Sequence, residues 1–312
     1  MQKHAYLFMI HGDFESTYVC MSLLDDERND IYIHMDKKTK EETFLAVKNR
    51  VAKVVKHSKV HYIKRRRVDW GMFNMVEVTI DLLREAIKGH YDYYHLLSGS
   101  DIPLQDVDTI HRFFENNQGK EIISFNRKEI SGESLKRIRY YYPKKTSGLW
   151  YRVFMKLQRK LNINRIRTDM IYQKGANWFS ITDELAKYVV SMEKQVKKMF
   201  CHTRTSDEVF LQTLVMNSKF ADRIYDKSFE DHGRRGSENT KALGNMRYLI
   251  WDTVSDGHPI NLSMKNLPTL EQTKALFGRK FDWNQDSEII CYIYKKLKQK
   301  EWSKGGEDSC HL

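Results

Sequence analysis

The first hundred residues alternate short apolar runs with amphipathic stretches, and this alternation narrows the fold more than any other feature of the chain. "AYLFMI" (5–10), "DIYIHMD" (30–36), "KVHYIK" (59–64) and "YDYYHLLSG" (91–99) have the length and the aromatic and β-branched content of buried strands. Between them, Glu15–Leu24, Glu41–Val55 and Met72–Ile87 carry apolar residues at helical spacing. Strands separated by such helices build βαβ units. The chain is therefore predicted to be α/β, with a mostly parallel central sheet flanked by helices. Ligands of such sheets bind beyond the carboxyl ends of the strands. Those ends read "HGD", "HMDKK", "RRRVDWG" and "SGSDIP", and three carry an aspartate: Asp13, Asp36 and Asp101. One aspartate at a strand end is an ordinary turn residue. Three converging on one sheet edge point to a pocket.

The second half is less regular. "EIISF" (121–125), "ANWFSIT" (176–182) and "NMRYLIWD" (245–252) read as strands, and 183–200, 270–276 and 286–298 as helices. With 312 residues, 41% of them hydrophobic, the chain can bury a sizeable core. No repeat or linker divides it, so one domain over 1–312 is expected, with a frayed tail at 303–312. No run is long and apolar enough to span a bilayer, and the N-terminal run is too short for a signal peptide. Cys20, Cys201, Cys291 and Cys310 are scattered and show no disulfide or zinc spacing. A cytoplasmic protein is the expectation.

The formal charge is +12, which calls for a polyanionic partner: nucleic acid, an anionic membrane or a phosphorylated small molecule. No recognition-helix, RNP or OB pattern supports nucleic acid. "GLWYRVFMKLQRKL" (148–161) puts Leu149, Trp150, Val153, Phe154, Leu157 and Leu161 on one helical face, with Arg152, Lys156, Arg159 and Lys160 around the others. Two readings stand for it. It lies on an anionic membrane, peripheral at the inner face, or it packs its apolar stripe on the core.

There is no phosphate-binding glycine loop, no H-E-x-x-H and no nucleophile elbow. Asp106-Val107-Asp108 matches the Asp-x-Asp by which many sugar transferases hold a divalent metal, but it precedes a helical stretch, where N-capping is the preferred reading. The stretch 68–86 reads as a helix with Trp70 at its start, beside a strand end. His34, inside a strand, reads as a packed core histidine. "TRTSDEVFLQTL" (203–214) poses the sharpest question. Asp207 and Glu208 follow Ser206, a good N-cap, and acidic residues suit a first helical turn. A catalytic base there would need a site assembled around it.

Read together, "IYIHMDKK", "WGMFNMVEVTIDLL", "YYHLLSGSDIPL", "KGANWFSIT", "TRTSDEVFLQTL", "MRYLIWD", "HP" and "ALFGRKFD" fall in the order found in glycosyltransferase family 14. That family contains the core-2/I-branching β-1,6-N-acetylglucosaminyltransferases and the peptide O-xylosyltransferases. The chain resembles it over residues 5–285, as an unanchored member of bacterial type. The resemblance implies a GT-A-like fold and an inverting transfer from a UDP-sugar to a hydroxyl of a glycan or lipid-linked saccharide. GlcNAc comes first as donor sugar and xylose next, and no metal or other cofactor is implied. Glu208 matches the family's general base, which leaves Asp207 as a cap or positioning group on the acceptor side. Lys280, in "LFGRKF", matches the lysine that binds the diphosphate. An arginine common two residues after the histidine of "HP" is replaced by Ile260. Arg247, Arg279 and the arginines of "HGRRG" are the candidates to stand in. Asp36 is implied near the uracil or ribose, Asp101 near the donor sugar, and Trp178 and Tyr140 in an acceptor platform.

Overall fold

The computed structural model describes all residues except 13, 127–129, 131, 144–146, 229–243, 252–258 and 303–312. Asp13, His258, the arginines of "HGRRG" and the tail lie outside the described residues.

The strands are β1 (His4–Ile10), β2 (Asn29–Met35), β3 (Lys59–Tyr62), β4 (Tyr93–Ser98), β5 (Ile102–Pro103), β6 (Ser180–Thr182), β7 (Arg247–Tyr248) and β8 (Phe277–Gly278). The helices are α1 (Phe14–Leu23), α2 (Glu41–Val54), α3 (Asn74–Ala86), α4 (Val107–Asn116), α5 (Gly132–Arg139), α6 (Gly148–Lys160), α7 (Asp183–Ser191), α8 (Glu193–Phe200), α9 (Phe210–Met216), α10 (Leu267–Gln272) and α11 (Ser287–Trp302). The main sheet has the order β3-β2-β1-β4-β6. Its first four strands are parallel and β6 is antiparallel to β4. The fold is thus the α/β arrangement with a mostly parallel sheet that the alternation implied.

Both faces of the sheet are covered, which is why β1 reads as an unbroken apolar run. Ala5, Leu7 and Met9 pack into the core formed with α3, α7 and α9. Tyr6, Phe8 and Ile10 face the opposite core, under α1, α2 and α4. The chain order of the strands reverses between β1 and β4, and this reversal opens a crevice at their carboxyl ends.

Several elements differ from the sequence expectation. A small sheet, β5-β8-β7, was not foreseen. Its two-residue strands are too short to show a period. Of the run 121–125, only Glu121 and Ile122 make isolated bridges. Among the described residues of the run 245–252 the strand is β7, with an isolated bridge at Trp251, and 176–182 reduces to β6. The helix expected over 183–200 is two helices, α7 and α8, divided at Met192. The helix expected from residue 68 begins at Asn74, because Gly71 turns the chain at φ 72°.

Candidate active site

The crevice is a cavity of about 590 Å³. The end of β1 supplies Met9, Ile10 and His11, the end of β2 His34 and Asp36, and the end of β4 Ser98 and Ser100. The second half of the chain closes it with Lys174–Trp178, Asp207, Glu208, Asn245, Arg279 and Lys280. Of the nine site residues singled out from sequence, six line this cavity: Asp36, Trp178, Asp207, Glu208, Arg279 and Lys280.

Asp207 and Glu208 do not open an α-helix. They lie in a 3-10 turn, Ser206–Glu208, ahead of α9. Thr205 takes a left-handed backbone at φ 49°, and its N–H donates to Gly71 O at 2.8 Å. Ser206 therefore does not cap, and its buried Oγ has no hydrogen-bond partner among the described residues. The turn seats Glu208 between two cations. Lys174 Nζ is 3.1 Å and Arg137 3.5 Å from its Oε2. Arg137 comes from α5 and also donates to Thr205 Oγ1 at 2.8 Å. Gly175 fixes the same corner. Its N–H donates to Glu208 O at 2.9 Å, and a Cβ there would stand 1.9 Å from Ser124 O. Asp207 is 7% exposed. Burial, and then the charge of Glu208, push its carboxyl up to about 7.

A second cluster is cationic. The Arg279 guanidinium lies 4.3 Å over the Trp178 ring and 3.7 Å from Asp101 Oδ1. Burial lowers its pKa and Asp101 opposes that shift, but a guanidinium stays protonated in any protein. Asp101 is fully buried and its Oδ2 accepts from Ser98 Oγ at 2.6 Å. It does not line the cavity but touches two residues that do, Ser98 and Arg279. Beside Arg279, Lys280 makes no ion pair among the described residues. Burial, and then the Arg279 charge, lower its pKa.

At the end of β2, Asp36 Oδ1 accepts from Lys38 N at 2.8 Å and Oδ2 lies 3.4 Å from Lys38 Nζ. His34 is packed as expected. Its Nε2 accepts from Arg66 N at 2.9 Å, and burial lowers its pKa to about 4. Trp70 also lines the cavity while remaining 66% exposed.

The remaining site expectations fall elsewhere. Arg247 is fully buried, donates to Ser180 Oγ at 2.9 Å and to Phe179 O at 2.8 Å, and sits 4.8 Å over Phe277. It does not line the cavity, and neither do Tyr140 and Ile260. Asp106 accepts from Thr109 N at 2.8 Å as the N-cap of α4. Asp108 pairs with Arg28 at 2.7 Å. Among the described residues, no group of three or more His, Cys, Asp or Glu side chains is placed to hold a metal, and no helix is long and apolar enough to cross a membrane. Sequence reasoning did not single out Lys174 or Arg137. Their only sequence signals were the "KGANW" segment and a basic cluster.

Comparison with known proteins places the chain in a family. The family model described as Branch, core-2/I-branching enzyme, matches residues 4–276. Xylosyltransferase 2 of Rattus norvegicus is 21% identical over 306 residues, which is 92% of this chain and 32% of that protein. Xylosyltransferase sqv-6 of Caenorhabditis briggsae is 23% identical over 273 residues, 83% of this chain and 32% of the relative. The chain thus spans about a third of the length of the curated relatives it matches. With the family model covering most of its length, the chain belongs to the core-2/I-branching enzyme family, glycosyltransferase family 14.

Proposed function

We propose that this cavity transfers a sugar from a UDP-sugar to a hydroxyl of a glycan or lipid-linked saccharide, in one inverting displacement and without a bound metal. The observation that carries the reading is the meeting, in one crevice, of a carboxylate held between cations and two further cations, Arg279 and Lys280.

Glu208 is the general base. It takes the proton of the acceptor hydroxyl as that oxygen attacks the anomeric carbon, and the sugar–phosphate bond breaks on the opposite face. UDP leaves with the bonding electron pair. Lys280 and Arg279 neutralise the charge that develops on its phosphate. Trp178 and Asp101 hold the guanidinium in place, so little reorganisation is needed during the reaction. Asp36 binds the nucleoside, and Asp207 meets the acceptor beside the base. The donor is taken to be UDP-GlcNAc. UDP-xylose, suggested by the names of the relatives, is the second to test.

Calorimetric titration with UDP in EDTA tests the reading. Wild type binds, and Lys280→Ala loses one charge-assisted phosphate contact, about 1.5–3 kcal/mol or roughly 10- to 150-fold in affinity. Glu208→Gln binds UDP like wild type and transfers no sugar. Binding that vanishes with EDTA removes the metal-free step, and no UDP binding at all removes the proposal.

A further inference from the structure

The helix α6 resolves its two sequence readings in an unexpected way. Its apolar stripe is not packed on the core. Leu149 is 78% exposed, Trp150 63%, Val153 57% and Leu157 50%, and Leu161, just past its end, is 62% exposed. These residues and Phe154 fall within an arc of about 140° at 3.6 residues per turn. The helix is held to the body from the other side. Met155 and Gln158 are its buried residues. Gln158 accepts from Tyr141 N at 2.8 Å and donates to Tyr141 O at 3.0 Å. Trp150 and Phe154 stack at 5.2 Å on the outer face.

The charge on this helix has one sign. Arg152, Lys156, Arg159 and Lys160 are exposed, none makes an ion pair among the described residues, and the helix contains no acidic residue. A face of this size exposed to water costs free energy. A protein partner would have to supply both an apolar groove and a dense acidic rim. An anionic bilayer supplies an apolar interior and a negative surface within one side chain's reach.

We propose that α6 is a membrane-docking surface, which lays Leu149, Trp150, Val153 and Leu157 into the headgroup boundary of a bilayer containing anionic phospholipid while its basic residues meet the headgroups. α5, which precedes α6 in the chain, carries Arg137, 3.5 Å from Glu208. The docking itself does not depend on the proposed transferase reading.

The test is co-sedimentation with vesicles of phosphatidylglycerol and phosphatidylcholine, set against phosphatidylcholine alone, with UDP calorimetry run separately on each variant as a check on the donor site. Wild type binds the anionic vesicles and loses them as salt is raised. The triple change Leu149→Ser, Val153→Ser, Leu157→Ser lowers the partition coefficient at least tenfold. Changing Arg152, Lys156 and Arg159 to Gln lowers it about fivefold per residue. UDP affinity stays as in wild type in both variants, since none of these residues lines the cavity. Absence of binding to anionic vesicles at low ionic strength overturns the proposal, as does binding that neither variant weakens. A dimer that the serine changes dissolve, without vesicle binding, assigns the face to a second copy of the chain and overturns it as well.

Discussion

Asp207→Asn isolates the least favourable charge in the site. The carboxyl is 7% exposed and beside Glu208, and burial with that neighbouring charge lifts its pKa from 3.8 to about 7. A group whose folded value is raised binds its proton more tightly in the native state. Its contribution to stability is complete below about pH 4 and is lost as pH rises toward 7. At 1.36 kcal/mol per pH unit, the whole span is worth about 4 kcal/mol, of which roughly 2.5–3 kcal/mol falls between pH 5 and pH 8. Asparagine keeps the shape and does not titrate. The stability of Asp207→Asn minus that of wild type should therefore grow by about that amount from pH 5 to pH 8. In urea, this is a relative midpoint shift on the order of 1 M. Other buried groups titrate in the same range. Glu121 is raised to about 7, mainly by burial, and loses stability with rising pH. His34 and His111 are lowered to about 4, mainly by burial, and lose it as pH falls through 6.5 toward 4. These terms are common to both proteins and cancel in the difference. Two stability curves that run parallel from pH 5 to pH 8 would refute the assignment of this cost to Asp207.

Two further substitutions separate structural from functional roles. Arg247→Met removes a buried guanidinium that serves several backbone carbonyls and a serine, so stability should fall by at least about 3 kcal/mol in chemical denaturation. UDP affinity of the protein that remains folded should stay within about threefold. A selective loss of UDP affinity in a stable protein would instead place Arg247 at the donor. Asp106→Asn with Asp108→Asn leaves a competent N-cap and removes one exposed ion pair, so stability should drop by about 1 kcal/mol or less. Transfer should be nearly unchanged, and its abolition would point to an Asp-x-Asp metal site.

The centre of the sheet was legible because β1, β2 and β4 are buried on both faces. Each shows as a short run dominated by apolar and aromatic residues, and the helices between them show as period 3.6. What was illegible depended on contacts distant in sequence. β7 and β8 are two residues each and exist by pairing with one another and with β5. The division of 183–200 at Met192 has no glycine or proline to announce it, and Met192 N still donates to Tyr188 O at 3.0 Å. By contrast, Gly71 was visible in the sequence. Its positive φ, which delays α3 to Asn74 and gives Thr205 its backbone acceptor, is the kind of turn a glycine permits.

The site divides in the same way. Glu208 and Lys280 come from the resemblance, and the cavity brings them together. Their neighbours were hidden, because Lys174 and Arg137 reach Glu208 from segments with no local reason to approach it. The replacement of an expected arginine by Ile260 raises the question of where the second positive charge comes from. Ile260 donates its N–H to Ile250 O at 2.9 Å and stays off the cavity. Arg279 lines it, from the residue just after β8, and its partners explain why it can. Asp101 spends one oxygen on Ser98 Oγ and leaves the other 3.7 Å from the guanidinium. Trp178 supplies the ring beneath. An aspartate at the end of a central strand, expected to touch a sugar, is therefore better placed to hold an arginine. On this geometry, Arg279 and Lys280 bring two adjacent positive charges into the cavity from one short segment, and under the proposed function these take the place of an arginine at position 260.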